Sequence, residues 1–256
     1  MRLTDEQWAV IQPLLPHPTK TTRRGRPRRD DREVLEGILW ILRTGAQWSE
    51  LPRAEYPPKS TSHERFQEWN EQAVFPLILA ALYEQLEDQE LLDLREAFID
   101  GTFSPAKKGA TKFGPTKKGK GSKIMIMVDA NGIPLAVQVC SARPAEVTLV
   151  QETLEASFGL DFPKRLIGDK AYDSDGLDEE LRHLGIEMIA PNRRNRRKTQ
   201  DGRPLRRHKR RWKVERTIAW LQSFRRVRTR DEVKAVNFLA MVQLACILIL
   251  VRIISG

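Results

Sequence analysis

The sequence predicts an α/β fold: a mixed sheet flanked by helices, preceded by an all-α domain of helix-turn-helix-like character. Two observations carry this prediction. Apolar residues recur at helical spacing through residues 1–90, and from residue 94 short β-rich runs alternate with helical segments. Charge changes near the same point, because residues 51–100 carry 11 acids against four bases whereas basic segments follow. We therefore expect two domains, residues 1–90 and residues 91–256.

The chain is strongly basic for its length. It has 256 residues, a formal net charge of +10 and a pI of about 9.8. A protein with this balance commonly binds a polyanion, and nucleic acid is the first candidate. A basic enzyme without such a partner, or a ribosome-associated protein, stays open on charge alone.

Several features of the sequence indicate a cytoplasmic protein associated with the nucleoid. Cys140 and Cys246 lie inside apolar runs and are typical of buried thiols in a reducing compartment. The amphipathic, acid-bearing N-terminus is unlike a signal peptide. The most apolar stretch, residues 235–251, is at the short end for a membrane span, so we predict a buried C-terminal helix there.

The helical region contains three recognisable helices. The first follows Thr4, its predicted N-cap, and ends near Pro13. The second covers residues 31–42, and the third begins with Ser60 or Thr61 as its cap. A helix-turn-helix of this size is a common duplex-binding unit, although an ordinary helical bundle fits the same pattern.

Residues 94–256 read in the order β-β-β-α-β-α-β-α. The first strand ends at Asp100, and two further apolar runs flank Asn131-Gly132, a strong hairpin signal. A short buried strand ends at Asp169, and a last one follows near residue 187. Helices are predicted at residues 146–158, 174–184, 205–224 and 231–254. This order matches the ribonuclease-H-like fold, in which the first and fourth strands are neighbours and parallel.

Asp100 and Asp169 are the first candidates for catalysis. Adjacent parallel strands would bring them together at the carboxyl edge of the sheet, where sites in open α/β folds lie. Two adjacent carboxylates repel each other, and a hard cation stabilises both. Each could also be an ordinary turn former.

Glu215 is the third candidate. It lies among many bases on a predicted helix. Three other residues at helical spacing fall on the same side of this helix, and an aromatic residue flanks them. We name these four the supporting residues: His208, Arg211, Gln222 and the flanking Trp212. A structural i, i+4 ion pair between Glu215 and Arg211 is the alternative explanation.

These motifs together resemble the DDE transposases of bacterial insertion sequences, in particular the insertion-sequence-five family. LTDEQWAVIQPLLP and GRPRRDDREVLEGILWILRTGAQWSELP are similar to that family's helical N-terminal region. AFIDGT, LIGDKAYDS and RRWKVERTIAWLQSFRRVRTRDE are similar to its three acidic motifs. The family's Glu signature is Tyr-x2-Arg-x3-Glu-x6-Lys. Here Arg211 and Glu215 match it, whereas His208 and Gln222 replace the Tyr and the Lys.

The resemblance implies a reaction on DNA. Asp100, Asp169 and Glu215 would bind two Mg²⁺ or Mn²⁺ ions per active site. The protein would cut phosphodiesters at transposon terminal inverted repeats and join the freed 3′-hydroxyls to target DNA, as a homodimer on double-stranded DNA. A ribonuclease-H-like nuclease or resolvase without strand transfer, and an inactive DNA-binding repressor, remain alternatives.

Basic segments are the predicted DNA contacts. Residues 191–230 carry 17 of the 44 Lys and Arg against two acids, and residues 103–123 add seven lysines without an acid. The segment GRPRR at residues 25–29 resembles an arm that enters the minor groove. The predicted DNA-binding residues are Arg26, Arg28, Arg29, Lys117, Lys118, Lys120, Arg193, Arg194, Arg211, Lys213 and Arg216.

Overall fold

A computed structural model describes residues 2–16, 27–107, 111, 114–116, 119–194 and 205–256. Three predicted DNA-binding residues, Arg26, Lys117 and Lys118, lie outside the described residues. The basic residues between Arg194 and Leu205 also lie outside the described residues.

Four helices make up the N-terminal region: α1 (Asp5–Ile11), α2 (Asp31–Thr44), α3 (Lys59–Glu71) and α4 (Val74–Asp88). Thr4 caps α1 as predicted, because its side chain accepts the Gln7 N–H while the Gln7 side chain accepts the Thr4 N–H. The predicted cap of α3 is wrong by two or three residues. Pro58 occupies that position, since proline fits a helix start where its missing N–H costs nothing.

The sheet has the strands β1 (Ala97–Pro105), β2 (Gly114–Thr116), β3 (Gly119–Asp129), β4 (Pro134–Ser141), β5 (Arg165–Ile167) and β6 (Glu187–Ile189). Their order is β4-β3-β1-β5-β6, and the short β2 pairs with the start of β3. β3 is antiparallel to β1 and β4, whereas β1, β5 and β6 are parallel. This arrangement is the predicted ribonuclease-H-like sheet, in which β1 and β5 are side by side and parallel.

The β3–β4 hairpin turns at the predicted Asn131-Gly132. Gly132 has φ of +87°, which glycine adopts without steric cost. Asp129 holds the turn, because its Oδ1 accepts the N–H groups of Asn131 at 2.8 Å and Ile133 at 2.7 Å. Its other oxygen accepts the Asp93 N–H at 2.9 Å, so the turn is also tied to the segment that enters β1.

Helices cover both faces of the sheet: α5 (Val150–Glu155), α6 (Asp175–His183), α7 (Trp212–Ser223), α8 (Arg225–Arg228) and α9 (Ala235–Ile254). α5 and α6 pack on one face, and α7 and α9 pack on the other. The predicted helix at residues 146–158 is shorter than expected, since 3₁₀ geometry covers Glu146–Leu149 before α5. Likewise, 3₁₀ geometry covers Leu205–Arg211 before α7, and α9 begins four residues later than predicted.

α9 is apolar throughout because it is buried throughout. It is long and apolar enough to cross a membrane by composition, yet 67% of its most apolar window is buried inside the protein. It packs against β4 on one side and against α4 on the other. The N-terminal helices and one face of the sheet therefore share a single hydrophobic core.

Candidate active site

Asp100 lies inside β1, not at its end as predicted. The pairing with β3 continues to Pro105, whereas the parallel pairing with β5 stops at Phe98 and Ile167. Asp100 therefore lies just past the end of β5, at an edge open on that side. Its Oδ1 accepts the Gly101 N–H at 2.8 Å, and its Oδ2 accepts from Arg211 Nη2 at 2.6 Å.

Burial raises the pKa of the Asp100 carboxyl above its ordinary value. The Arg211 guanidinium and the Gly101 N–H oppose this rise, while the charges of Glu146 and Asp169 add to it. The site thus holds a half-buried carboxylate beside other acids, and Arg211 supplies a compensating positive charge.

Asp169 follows β5 by two residues and begins the turn Lys170–Tyr172. Its Oδ1 accepts the Ala171 N–H at 2.6 Å, which fixes the side chain at the start of that turn. Because β1 and β5 are parallel neighbours, Asp169 comes close enough to Asp100 for the two charges to interact. This is the juxtaposition that the strand order predicted.

Glu215 lies on α7, one turn beyond Arg211, and its side chain is exposed. Burial lowers the pKa of His208, and the Arg211 charge lowers it further, while Asp169 and Glu215 oppose both effects. Asp169 and Glu215 thus approach the same imidazole from different elements. In the part of the chain that the structure describes, however, no three acidic, histidine or cysteine side chains lie close enough to hold a metal ion.

Glu96, directly before β1, and two residues of β1 contact the basic segment Leu205–Arg211 and α7, the helix that follows it and contains Glu215. These residues are an even number of positions apart, so their side chains lie on the same face of the sheet. Glu96 accepts from Arg207 and Arg210, Asp100 accepts from Arg211, and the Thr102 hydroxyl accepts from Gln222 Nε2 at 2.6 Å. The supporting residues Arg211 and Gln222 therefore fix the position of α7 along β1.

Trp212, the other supporting residue, lies on the exposed side of α7 and is 51% exposed. The Arg216 guanidinium stacks between Trp212, at 5.1 Å from its ring centroid, and Trp220, at 4.8 Å. Arg216 also donates to the Asn131 carbonyl at 2.6 Å, and Lys213 donates to the Ala130 carbonyl. Both cations are held by neutral oxygens, so their charges remain available to an anion.

The other predicted DNA-binding residues differ in their surroundings. Arg28 lies 3.4 Å from Glu68, so an acid already neutralises part of its charge. Arg193 donates to the carbonyls of Lys170 and Ala171, and its own N–H is accepted by Asp173. It therefore clamps the turn after Asp169. The side chains of Arg29, Lys120 and Arg194 are exposed.

Glu146 is a site residue that the sequence did not reveal. Its Oε2 accepts from the Tyr172 hydroxyl at 3.2 Å, and its Oε1 lies 3.6 Å from Lys123 Nζ. It lies against the backbone just after Asp100, because a Cβ on Gly101 would come within 2.7 Å of Glu146 Oε1. The glycine beside Asp100 was the available signal, and a turn former explained it equally well.

A sheet of this order, with two aspartates beside the ends of adjacent parallel strands, defines a ribonuclease-H-like nucleic-acid-processing domain. Two family models match the chain. One is described as "Putative transposase of IS4/5 family" and matches residues 3–79, and the other, "Transposase DDE domain", matches residues 92–250. The chain therefore belongs to the DDE transposases of insertion sequences, as the motifs indicated.

The chain is similar to several known proteins. A relative from Burkholderia cepacia, described as "Putative transposase for insertion sequence element IS402", is 36% identical over 170 residues, which cover 62% of this chain and 76% of the relative. An uncharacterized protein, y4sN, of Sinorhizobium fredii is 30% identical over 128 residues, covering 50% and 95%. Among solved structures, a piggyBac transposase synaptic complex with hairpin DNA matches 78% of this chain and 50% of its own, with a TM-score of 0.40 and 12% identity.

Proposed function

We propose that this protein cuts phosphodiesters at the terminal inverted repeats of its transposon and joins the freed 3′-hydroxyls to target DNA. The observation that carries this proposal is the pair of aspartates on neighbouring parallel strands, just beyond the point where those strands stop pairing, with Arg211 bonded to Asp100. Family membership supplies the reaction class. DNA cleavage without strand transfer, as in a nuclease or resolvase, is the alternative outcome of the test below.

The donor set suits a divalent metal. Asp100 is half-buried near two other acids, Glu146 and Asp169, and Arg211 supplies the positive charge that balances it. The position of the Arg211 guanidinium therefore favours a cation. Carboxylate oxygens are the ligands that Mg²⁺ and Mn²⁺ prefer. We propose that Asp100, Asp169 and Glu215 hold two such ions. What these ions supply in such a reaction is stabilisation of charge on the attacking and leaving oxygens.

The chain's own residues would position the substrate. Arg211 and Lys213 lie on the same segment as Glu215 and carry donors suited to phosphate oxygens. Gln222 holds α7 against β1, so that Glu215 stays in register with Asp100. Arg193 holds the turn that begins at Asp169. We further propose that residues 1–90 select the DNA sequence, that residues 91–256 cut it, and that two copies act together.

The test is cleavage and strand transfer on duplexes that carry the transposon ends. Asp100→Asn, Asp169→Asn and Glu215→Gln should each abolish cleavage in Mg²⁺ or Mn²⁺ and leave DNA binding nearly unchanged. Glu152→Gln, an exposed acid on α5, is the matched control and should cut normally. Wild-type cutting by any of the first three variants removes that residue from the set. Cutting without joined products would favour a nuclease.

A further inference from the structure

A recess lined by basic side chains lies at the start of β1, on the same face of the sheet as Asp100. Its volume is about 350 Å³. Five basic side chains line it, from the entry to β1, from β5 and from the segment that leads into α7. These are Arg95, Arg165, Arg207, Arg210 and Lys213, with Asp93 and Glu96 as the acids.

Glu96 is the centre of this recess. It is 2% exposed, and its Oε2 accepts from Arg207 Nη1 and Arg210 Nη2, both at 2.6 Å. Among the described residues nothing bonds to Glu96 Oε1 or to Arg207 Nε, although both atoms are buried. Two guanidinium groups thus crowd one carboxylate oxygen, and one positive charge is left in excess.

The remaining cations do not remove that excess. Arg95 pairs with Asp93 at 2.7 Å, and Arg165 pairs with Glu187 at 2.9 Å. Lys213 donates to the Ala130 carbonyl and lies 6.0 Å from the centroid of the Phe98 ring, and neither partner carries a charge. The five cations face three carboxylates, which leaves a net charge of +2 around the recess.

The recess and the candidate active site share one segment of chain. In the turn Leu205–Arg211, Arg207 and Arg210 reach Glu96, while Arg211 reaches Asp100. Glu96, directly before β1, and Asp100 are four residues apart along the chain, a distance of about 13 Å at roughly 3.3 Å per residue of extended chain. Each strand of duplex DNA advances about 3.4 Å per phosphate along the helix axis and also winds around that axis, so two phosphates of one strand are farther apart than their axial rise. A strand with one phosphate at Asp100 would therefore bring another, at most about four steps away, to the recess.

We propose that this recess binds a backbone phosphate of the DNA strand, at most about four nucleotides from the phosphate that is cut. The inference rests on the proposed function, because the cut phosphate defines the position. Its chemistry is that of guanidinium groups with an excess of charge and unfilled hydrogen-bonding capacity beside an open cavity. The contact positions the strand and reads no base.

The experiment replaces one phosphate at a time with a neutral methylphosphonate along each strand of a transposon-end duplex. The affinity of the wild-type protein should fall several-fold at one position no more than about four nucleotides from the cut. Arg210→Gln should lose that sensitivity and keep the others, because it removes one cation and leaves Arg207 bonded to Glu96. Its slope of log K against log salt should fall by about 0.9. Arg182→Gln, an exposed base on α6, is the matched control and should resemble the wild type.

A second variant, Arg165→Gln, removes a cation from the opposite wall and leaves the Glu96 cluster intact, so it serves if Arg210→Gln folds poorly. If both variants keep the wild-type sensitivity at every position, or bind more weakly without losing any one position, the recess is a structural ion cluster and the inference is wrong. If the wild-type protein neither binds nor cuts the ends, the proposed function fails instead.

Discussion

The bond between Arg211 and Asp100 determines how charge is balanced in the candidate active site when no DNA is bound. The sequence left open an i, i+4 ion pair between Arg211 and Glu215, but the structure joins Arg211 to Asp100 at 2.6 Å. Asp100 is half-buried, and this burial disfavours its charged form. Arg211 therefore stabilises the charge on Asp100, while Glu215 stays exposed.

Two of the three buried tyrosines, Tyr172 and Tyr83, give a prediction about Glu146, the carboxylate that the sequence did not reveal. Tyr172 donates to Glu146 at 3.2 Å, whereas the Tyr83 hydroxyl has no hydrogen-bond partner among the described residues. Tyr172→Phe should lower the free energy of unfolding by about 1 kcal/mol, since it removes one buried hydrogen bond. It should also raise several-fold the Mn²⁺ concentration that half-saturates cleavage, because Tyr172 ends the turn that begins at Asp169.

Chemical unfolding and Mn²⁺ titration of cleavage measure these effects, and Mn²⁺ binding measured by calorimetry separates affinity from turnover. Tyr83→Phe is the control and should change neither quantity. An equal effect of both substitutions would mean that Glu146 has no positioning role.

At the scale of single residues, the sequence predicted the site residues that strand order brings together. It did not predict the residues whose contacts depend on packing between distant segments. Asp100 and Asp169 became neighbours by strand order alone, which the pattern of β-runs and helices indicated. Glu146 meets Tyr172 across 26 residues, and Arg210 meets Glu96 across 114. Such contacts depend on how helices and turns settle on the sheet, and no local spacing encodes them.

Among the elements, the junction between α2 and α8 joins the helical region to the segment that follows α7. Arg226 on α8 donates to the Ala46 carbonyl at 3.0 Å and to buried Glu232 at 2.6 Å. Gly45 ends α2 with φ of +69°, and a Cβ there would lie 2.9 Å from the Arg225 Cβ. The end of α2 thus approaches the start of α8 too closely for residue 45 to carry a side chain.

Two glycines in the same conformation allow this approach to be tested. Gly45→Ala should destabilise the protein by more than the roughly 1 kcal/mol that left-handed geometry costs an alanine. Gly185→Ala, at φ of +74° with nothing within 4 Å of the added Cβ, should cost the conformational term alone. Urea unfolding of both variants gives the comparison. Equal losses would show that α2 and α8 can separate without cost.

The helices themselves were largely predictable, and their ends were less so. Thr4 and the apolar stripe of α2 specified two of them, because capping and helical spacing are local. The N-cap of α3, Pro58, lies two or three residues before the predicted caps, because proline could start the helix. β1 continues beyond Asp100 because β3 is long enough to pair with it, and pairing partners lie far along the chain.

For the whole molecule, the shared core makes the two predicted domains depend on each other physically. α9 packs along α4, and Phe238, Met241 and Leu244 on α9 are buried in the same core as α1 and α2. The functional division near residue 90 stays a prediction, but it does not correspond to two separate cores.

A truncated protein tests this dependence. A fragment of residues 91–256 should expose the apolar face of α9 that α4 covers, and should therefore lose cooperative thermal unfolding or aggregate. Circular dichroism melts and binding of a hydrophobic dye measure this outcome. Adding residues 1–90 in trans should restore part of the transition. A monomeric fragment with a sharp transition of its own would contradict a shared core. Sequence selection is consequently better tested by substitutions in the full chain.

The long separation in sequence between α9 and the helices that it covers has a consequence during synthesis. The helices of residues 5–88 leave the ribosome well before residues 235–254, which bury their apolar sides. Contacts of such high sequence separation form slowly, and exposed apolar surface promotes aggregation meanwhile. The first helices therefore remain without their apolar cover until α9 has been made, and a ribosome that stops before α9 releases a product without a completed core.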